Sequence, residues 1–110
     1  MGKPIRPTKK TDRELFRLIN KMLSNGEYFF KRHAKSRQKD RAIRDLEVLD
    51  ILEGKRNRNR HRNKRKDKYE IGNEDWNYCI EGNNLDKKKM RIIISFENGM
   101  IPIITVMWIE

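Results

Sequence analysis

Apolar residues in this chain fall into periodic blocks separated by strongly polar stretches. Leu15, Leu18, Ile19, Met22 and Leu23 recur at spacings of three and four, which places them on one stripe of a helix. Thr11-Asp12-Arg13-Glu14 ahead of them fits a capping box, and Asn25-Gly26 supplies a left-handed stop. Together these predict a helix over 12–24. Tyr28-Phe29-Phe30 is too short and aromatic for another helix and predicts an extended segment. Helical character resumes over 33–41 with little apolar content, and over 45–53 Leu46, Leu49 and Leu52 share one side with Val48 and Ile51 beside them. Gly54 ends that segment. The pattern leaves open whether 33–53 is one bent helix or two.

After Asp67 the period changes from helical to strand-like. Segments 68–72, 76–81, 89–96 and 101–109 are predicted strands, punctuated by turn residues at 73–75, 82–84 and 97–99, so consecutive strands pair antiparallel. In the last strand Ile103, Thr105 and Met107 alternate with Ile104, Val106 and Trp108, leaving both faces largely apolar. That predicts a central strand. Helices first and a strand meander last give an α+β domain, with N-terminal helices packed on one face of a C-terminal antiparallel sheet.

Charge adds a partner to this outline. The 110 residues carry a formal net charge of +11, and residues 1–66 hold +14 of it against −3 for 67–110. The first ten residues, with Pro4, Pro7 and four Lys/Arg, predict a flexible basic arm ahead of a single domain over 11–110. KRNRNRHRNKRK at 55–66 has eight Lys/Arg, interleaved asparagine and no apolar residue, which predicts a mobile loop and a polyanion contact. Arg56, Arg58, Arg60, Arg62, Lys64 and Arg65 are its candidate RNA-binding residues, with Arg44 just upstream. Serine at 56, 58, 60 and 62 is then expected to weaken RNA binding and to leave stability nearly unchanged.

Other classes drop out. No run approaches the roughly 20 apolar residues of a spanning helix, and MGKPIRPTKK lacks a signal-peptide core, so the expected location is the cytoplasm with no membrane partner. A lone Cys79 beside His33 and His61 gives neither an internal disulfide nor zinc-type spacing. No phosphate-binding glycine loop, HExxH helix, GxSxG elbow or carboxylate pair is present. No metal or cofactor is expected.

His33, Arg37, Arg41 and Arg44, on a continuous helix, fall within roughly 80° of one another. An imidazole heading a guanidinium stripe suits proton transfer beside a held phosphate, and it equally suits a solvated helix face. Tyr69, Trp76 and Tyr78 can stack on bases or pack as sheet aromatics; Tyr69, directly after the basic segment, is the functional candidate. Trp108 and Phe96 are assigned to packing, and Cys79 to the sheet.

The order FFKRHAKSRQKDRAI, DLEVLDILEG, a basic gap, then KYEIG, WNYCIEG, KMRIIISF and IPIITVMW resembles an uncharacterised family of small bacterial domains. Its pattern is His-Ala-x-x-Arg, a later Arg-Gly-Ile, a short helix and a closing sheet. His33-Ala34 and Arg37 fit the first motif, and Arg41-Ala42-Ile43 fits the second with alanine for glycine. That family is similar in architecture to RelE, BrnT and MqsR toxins. The resemblance implies a RelE-like fold and a metal-independent messenger-RNA endoribonuclease, free or ribosome-dependent, neutralised by a cognate acidic antitoxin. It also implies His33, Arg37, Arg41 and Tyr69 as the catalytic set. The final strand departs from RelE, ending without a late Arg, Lys or Tyr. A non-catalytic RNA-binding or ribosome-associated protein, and a basic protein-interaction module, stay open beside the toxin.

Overall fold

The computed structural model describes residues 6–55 and 59–109. Its elements run α1 (Asp12–Ser24), β1 (Tyr28–Phe30), α2 (Arg32–Arg41), α3 (Asp45–Glu53), β2 (His61–Arg62), β3 (Tyr78–Asn83), β4 (Lys89–Ile94) and β5 (Ile101–Ile109). The architecture is α+β, with the three helices preceding most of a five-stranded sheet.

Helix α1 starts as the capping residues dictate. The Thr11 hydroxyl accepts from the Glu14 backbone N–H at 3.2 Å, and Leu15, Ile19, Met22 and Leu23 turn into the core. Helix α2 is different in kind: it buries only Ala34 and Gln38 and turns most of its cations to solvent. It stops where Ala42 adopts φ 54°, in the left-handed region. Segment 33–53 is therefore two helices. A left-handed alanine costs roughly 1–2 kcal/mol that glycine does not incur, partly offset by glycine's freer unfolded chain. Ala42→Gly is expected to stabilise the fold by about 0.5–1 kcal/mol, raising Tm by a few degrees. An unchanged or lower Tm would show that the turn carries no strain. Helix α3 then adds Val48, Ile51 and Leu52 to the core.

The strands order β1-β5-β4-β3-β2. Strands β2 to β5 pair antiparallel, but β1 lies parallel to β5, Tyr28 opposite Ile101. The sheet is mixed, where sequence alone predicted an antiparallel one. Its direction has a local cause: β1 comes out of α1 and runs straight into α2, so the helix layer rather than a hairpin turn aims it. The face toward the helices carries Tyr78 and Ile80, Met90, Ile92 and Ile94, then Ile101, Ile103 and Val106. A bulge corrects the predicted alternation of β5. Ile93 pairs with Thr105 and Ile94 with Ile103, so Ile104 is the extra residue and Ile103 shares a face with Val106 instead of Thr105. On the opposite face, with Glu81, Arg91, Thr105 and Met107, no α-helix packs among the described residues.

Two predicted features differ. Segment 68–72 is no strand: it makes a single bridge, Lys68 to Asn77, and then turns at Gly72 (φ 98°). The edge it would have occupied is taken by β2. The described part of the basic arm is also held. Pro7 accepts from the Trp76 indole at 2.7 Å, the Lys10 N–H donates to the Tyr78 hydroxyl at 3.0 Å, and the Lys10 ammonium pairs with Asp75 at 3.0 Å.

Candidate nucleic-acid interface

The basic segment divides into structural and solvent-facing cations. Arg56 and Arg58 lie outside the described residues. Arg60 donates to the carbonyls of Leu52 at 2.8 Å and Glu53 at 3.3 Å, closing the C-terminal end of α3, and its guanidinium sits 4.1 Å from the Phe16 ring centroid. Arg62 is buried outright. Its side chain is 1% exposed, donates to Asp67 at 2.8 and 3.0 Å, to Asp12 at 2.9 Å and to the Lys10 carbonyl at 2.7 Å. It also lies 5.1 Å from the Tyr78 ring centroid.

These contacts order His61–Arg62 as a strand and Lys64–Lys66 as a 3-10 turn. The described part of 55–66 is thus not the mobile loop that its composition suggested, and Arg60 and Arg62 are not free to meet RNA. The reason is ion pairing at a distance: a cation run with no acid of its own finds Asp12 and Asp67 on either side. Lys64, which pairs with Asp12 at 3.5 Å, and Arg65 remain exposed.

Helix α2 keeps His33, Arg37 and Arg41 on one flank of its buried Ala34 and Gln38, and places Arg32, Lys35 and Lys39 on the other, where Lys35 pairs with Asp45 at 2.7 Å. Arg44 is not on that helix; it precedes α3, its N–H donating to Glu47 at 3.1 Å. Tyr69 is elsewhere again. Its hydroxyl donates to the Asn73 carbonyl at 3.0 Å and its ring meets Trp76 at 5.7 Å, ahead of β3. Helix α2 packs along β5, and β4 lies between β5 and β3. The predicted catalytic residues therefore sit in two places, and His33 is exposed on the helix surface.

Sequence reasoning missed a second group of cations, at the end of the sheet. The Arg41 carbonyl accepts from the Trp108 indole at 3.3 Å, which ties the C-terminal end of α2 to the end of β5. Lys88 places its ammonium 5.8 Å from the Trp108 ring centroid. Lys87, Lys88, Lys89, Trp108 and Ile109 line a shallow cavity of about 420 Å3 there. Lys89 and Ile109 also belong to a neighbouring pocket of about 460 Å3 on the helix-free face, whose other walls include His61, Glu81 and Arg91. One cationic band thus runs from α2, around the end of the sheet, onto its open face.

On that face Glu81 is the hub. Its carboxylate, 9% exposed, accepts from Arg91 Nε at 2.8 Å and Asn63 at 3.1 Å, and stands 3.2 Å from His61 Nε2. Burial alone would raise the Glu81 pKa, but the hydrogen bonds from Arg91 and Asn63 hold it below the ordinary carboxylate range. Arg91 is raised in turn by that bond. Cys79 lies beneath, where burial and the Glu81 carboxylate push its thiol up to about 12. It is no nucleophile at neutral pH.

Comparison with known proteins yields no matching family model, no matching curated protein and no matching solved structure. Among the described residues no helix is long and apolar enough to cross a membrane, and no three His, Cys, Asp or Glu converge as metal ligands.

Proposed function

We propose that this protein binds single-stranded RNA along the cationic band from α2 through Lys87, Lys88 and Lys89 to the open sheet face. The observation that carries the proposal is the makeup of α2: it exposes His33 and four Lys/Arg, half-exposes Arg41, and buries only Ala34 and Gln38. A helix that gives up most of its core-facing stripe needs another use for its surface, and unpaired guanidiniums at regular spacing match the repeat of phosphates. Among the described residues Arg37 and Arg41 make no ion pair, so no intramolecular partner has to be displaced. The half-buried Trp108 adds an aromatic face beside the lysines. An acidic protein, of the kind the toxin resemblance implies, would cover the same band.

The test is fluorescence anisotropy with a labelled RNA of about 15 nucleotides over a range of salt. Arg37→Ser with Arg41→Ser is expected to weaken binding and to make the log K against log salt slope shallower by about 1.4, two single-strand phosphate contacts. Unchanged affinity and slope would remove α2 from the interface. The RNA, incubated in chelator with and without ribosomes, is expected to be recovered intact, since Tyr69 and His33 stand apart. Products ending in 2′,3′-cyclic phosphate would replace the binding reading with an endonuclease.

A further inference from the structure

The pocket on the open sheet face has the composition of a nucleotide site. Glu81 fixes Arg91 through Nε, which leaves the terminal guanidinium edge without an oxygen partner among the described residues. Its neighbours there are sulfurs, that of Met107 at 4.0 Å from Nη1 and the Cys79 side chain, both weak acceptors. An arginine held by its Nε and open at its fork is preorganised for the paired oxygens of a phosphate. Lys89, exposed on the strand register opposite Ile109, brings a second cation to the same pocket. Glu81 does not repel an incoming anion strongly, because Arg91 and Asn63 already occupy its Oε2.

His61 forms another wall in an unusual way for a histidine. Nδ1 lies 2.8 Å from the Asn59 carbonyl and Nε2 3.2 Å from Glu81 Oε1, so each ring nitrogen stands beside an acceptor of the protein and the ring is held in place whichever nitrogen donates. The ring is nevertheless open to solvent, the side chain being 60% exposed. A fixed, exposed aromatic ring beside an open guanidinium suits a base and its phosphate, and about 460 Å3 is within the range of small-ligand pockets.

We propose that this pocket takes one nucleotide unit, its phosphate on Arg91 and Lys89 and its base or sugar against the His61 ring. The proposal rests on the RNA-binding reading and sharpens it. The same chemistry is offered by a free mononucleotide, a phosphorylated RNA end and an internal nucleotide of a bound strand.

Two histidines make the experiment direct, since the ring C–H signals of His33 and His61 are assigned by a His33→Gln variant and followed by proton NMR. Titration with adenosine 5′-monophosphate is expected to shift His61 saturably and to leave His33 in place, while adenosine binds at least about tenfold more weakly. Arg91→Lys, which keeps the charge beside Glu81 but loses the fork, is expected to weaken the monophosphate about tenfold. Lys89→Met, at an exposed position, weakens it with the fold intact and serves if Arg91→Lys is unstable. Decamers with a 5′-phosphate or a 5′-hydroxyl separate an end from an internal position: only a seat for the end favours the phosphorylated one. Equal shifts by adenosine and its monophosphate, or no saturable shift of His61, overturn the subsite. Long RNA that binds in an α2-dependent way without moving His61 overturns the subsite and leaves the RNA reading standing; His61 responding to the monophosphate in a protein that ignores long RNA does the reverse.

Discussion

Arg62→Ala is expected to remove a large part of the domain's stability. The substitution strips Asp67 Oδ2 of two N–H donors, and the Asp67 carboxylate, 0% exposed, keeps, among the described residues, Lys9 at 3.6 Å and the Cys79 N–H at 3.0 Å. It also frees the Lys10 carbonyl and opens space under the Tyr78 ring. Breaking one partner out of a buried ion pair costs about 3–5 kcal/mol, against a total of about 5–15 kcal/mol for a domain. Arg65→Ala, on the exposed turn, should change stability by less than about 0.5 kcal/mol. Urea unfolding of the two variants makes the comparison. Equal midpoints would mean that the buried network contributes nothing. The fourfold serine replacement that sequence alone presents as harmless is expected to destabilise for this same reason.

Reversing Lys87, Lys88 and Lys89 to glutamate is expected to cost more RNA affinity than any other exposed triple. All three are exposed, and among the described residues none of their ammonium groups has a carboxylate partner, so the fold should tolerate the change. They occupy the corner where the band passes from one side of the sheet to the other. Losing three single-strand phosphate contacts flattens the salt slope by about 2, and repulsion from three new carboxylates adds to the loss. At 0.15 M salt the fall in affinity should exceed about a hundredfold. A triple variant that binds like the parent, with the parent's slope, would break the band into unrelated patches.

Legibility in the sequence followed the range of the interaction. The Thr11 cap, the α1 stripe and the turn after Asn98 are settled within a few residues, and they stand where the pattern puts them. Strand β5 was readable from its β-branched run, but its bulge was not, because Ile104 is as apolar as its neighbours and only pairing with β4 shows which residue is extra. The basic segment misled for a related reason: Asp67, directly after it, reads as one acid beside eight cations, and that it is buried under Arg62 shows only once Lys10 and Asp12, some fifty residues away, close over the same guanidinium. The His61, Glu81 and Arg91 group had a faint signal. Glu81 and Arg91 are the polar positions alternating with Ile80 and Ile92, opposite charges that face each other once β3 and β4 are zipped.

The parallel pairing of β1 with β5 bears on the order of folding. Tyr28 and its strand partner Ile101 stand far apart in sequence, with two helices and three strands between them. Helices α1, α2 and α3 can form locally, but β1 stays an unpaired aromatic strand until β5 is in place to receive it. Closing so long a loop is entropically slow compared with forming the β3–β4 hairpin. Closure of the sheet at β1 is thus a late event in folding, and deleting β5 would uncover Tyr28 and Phe30 and remove the strand on which α2 packs.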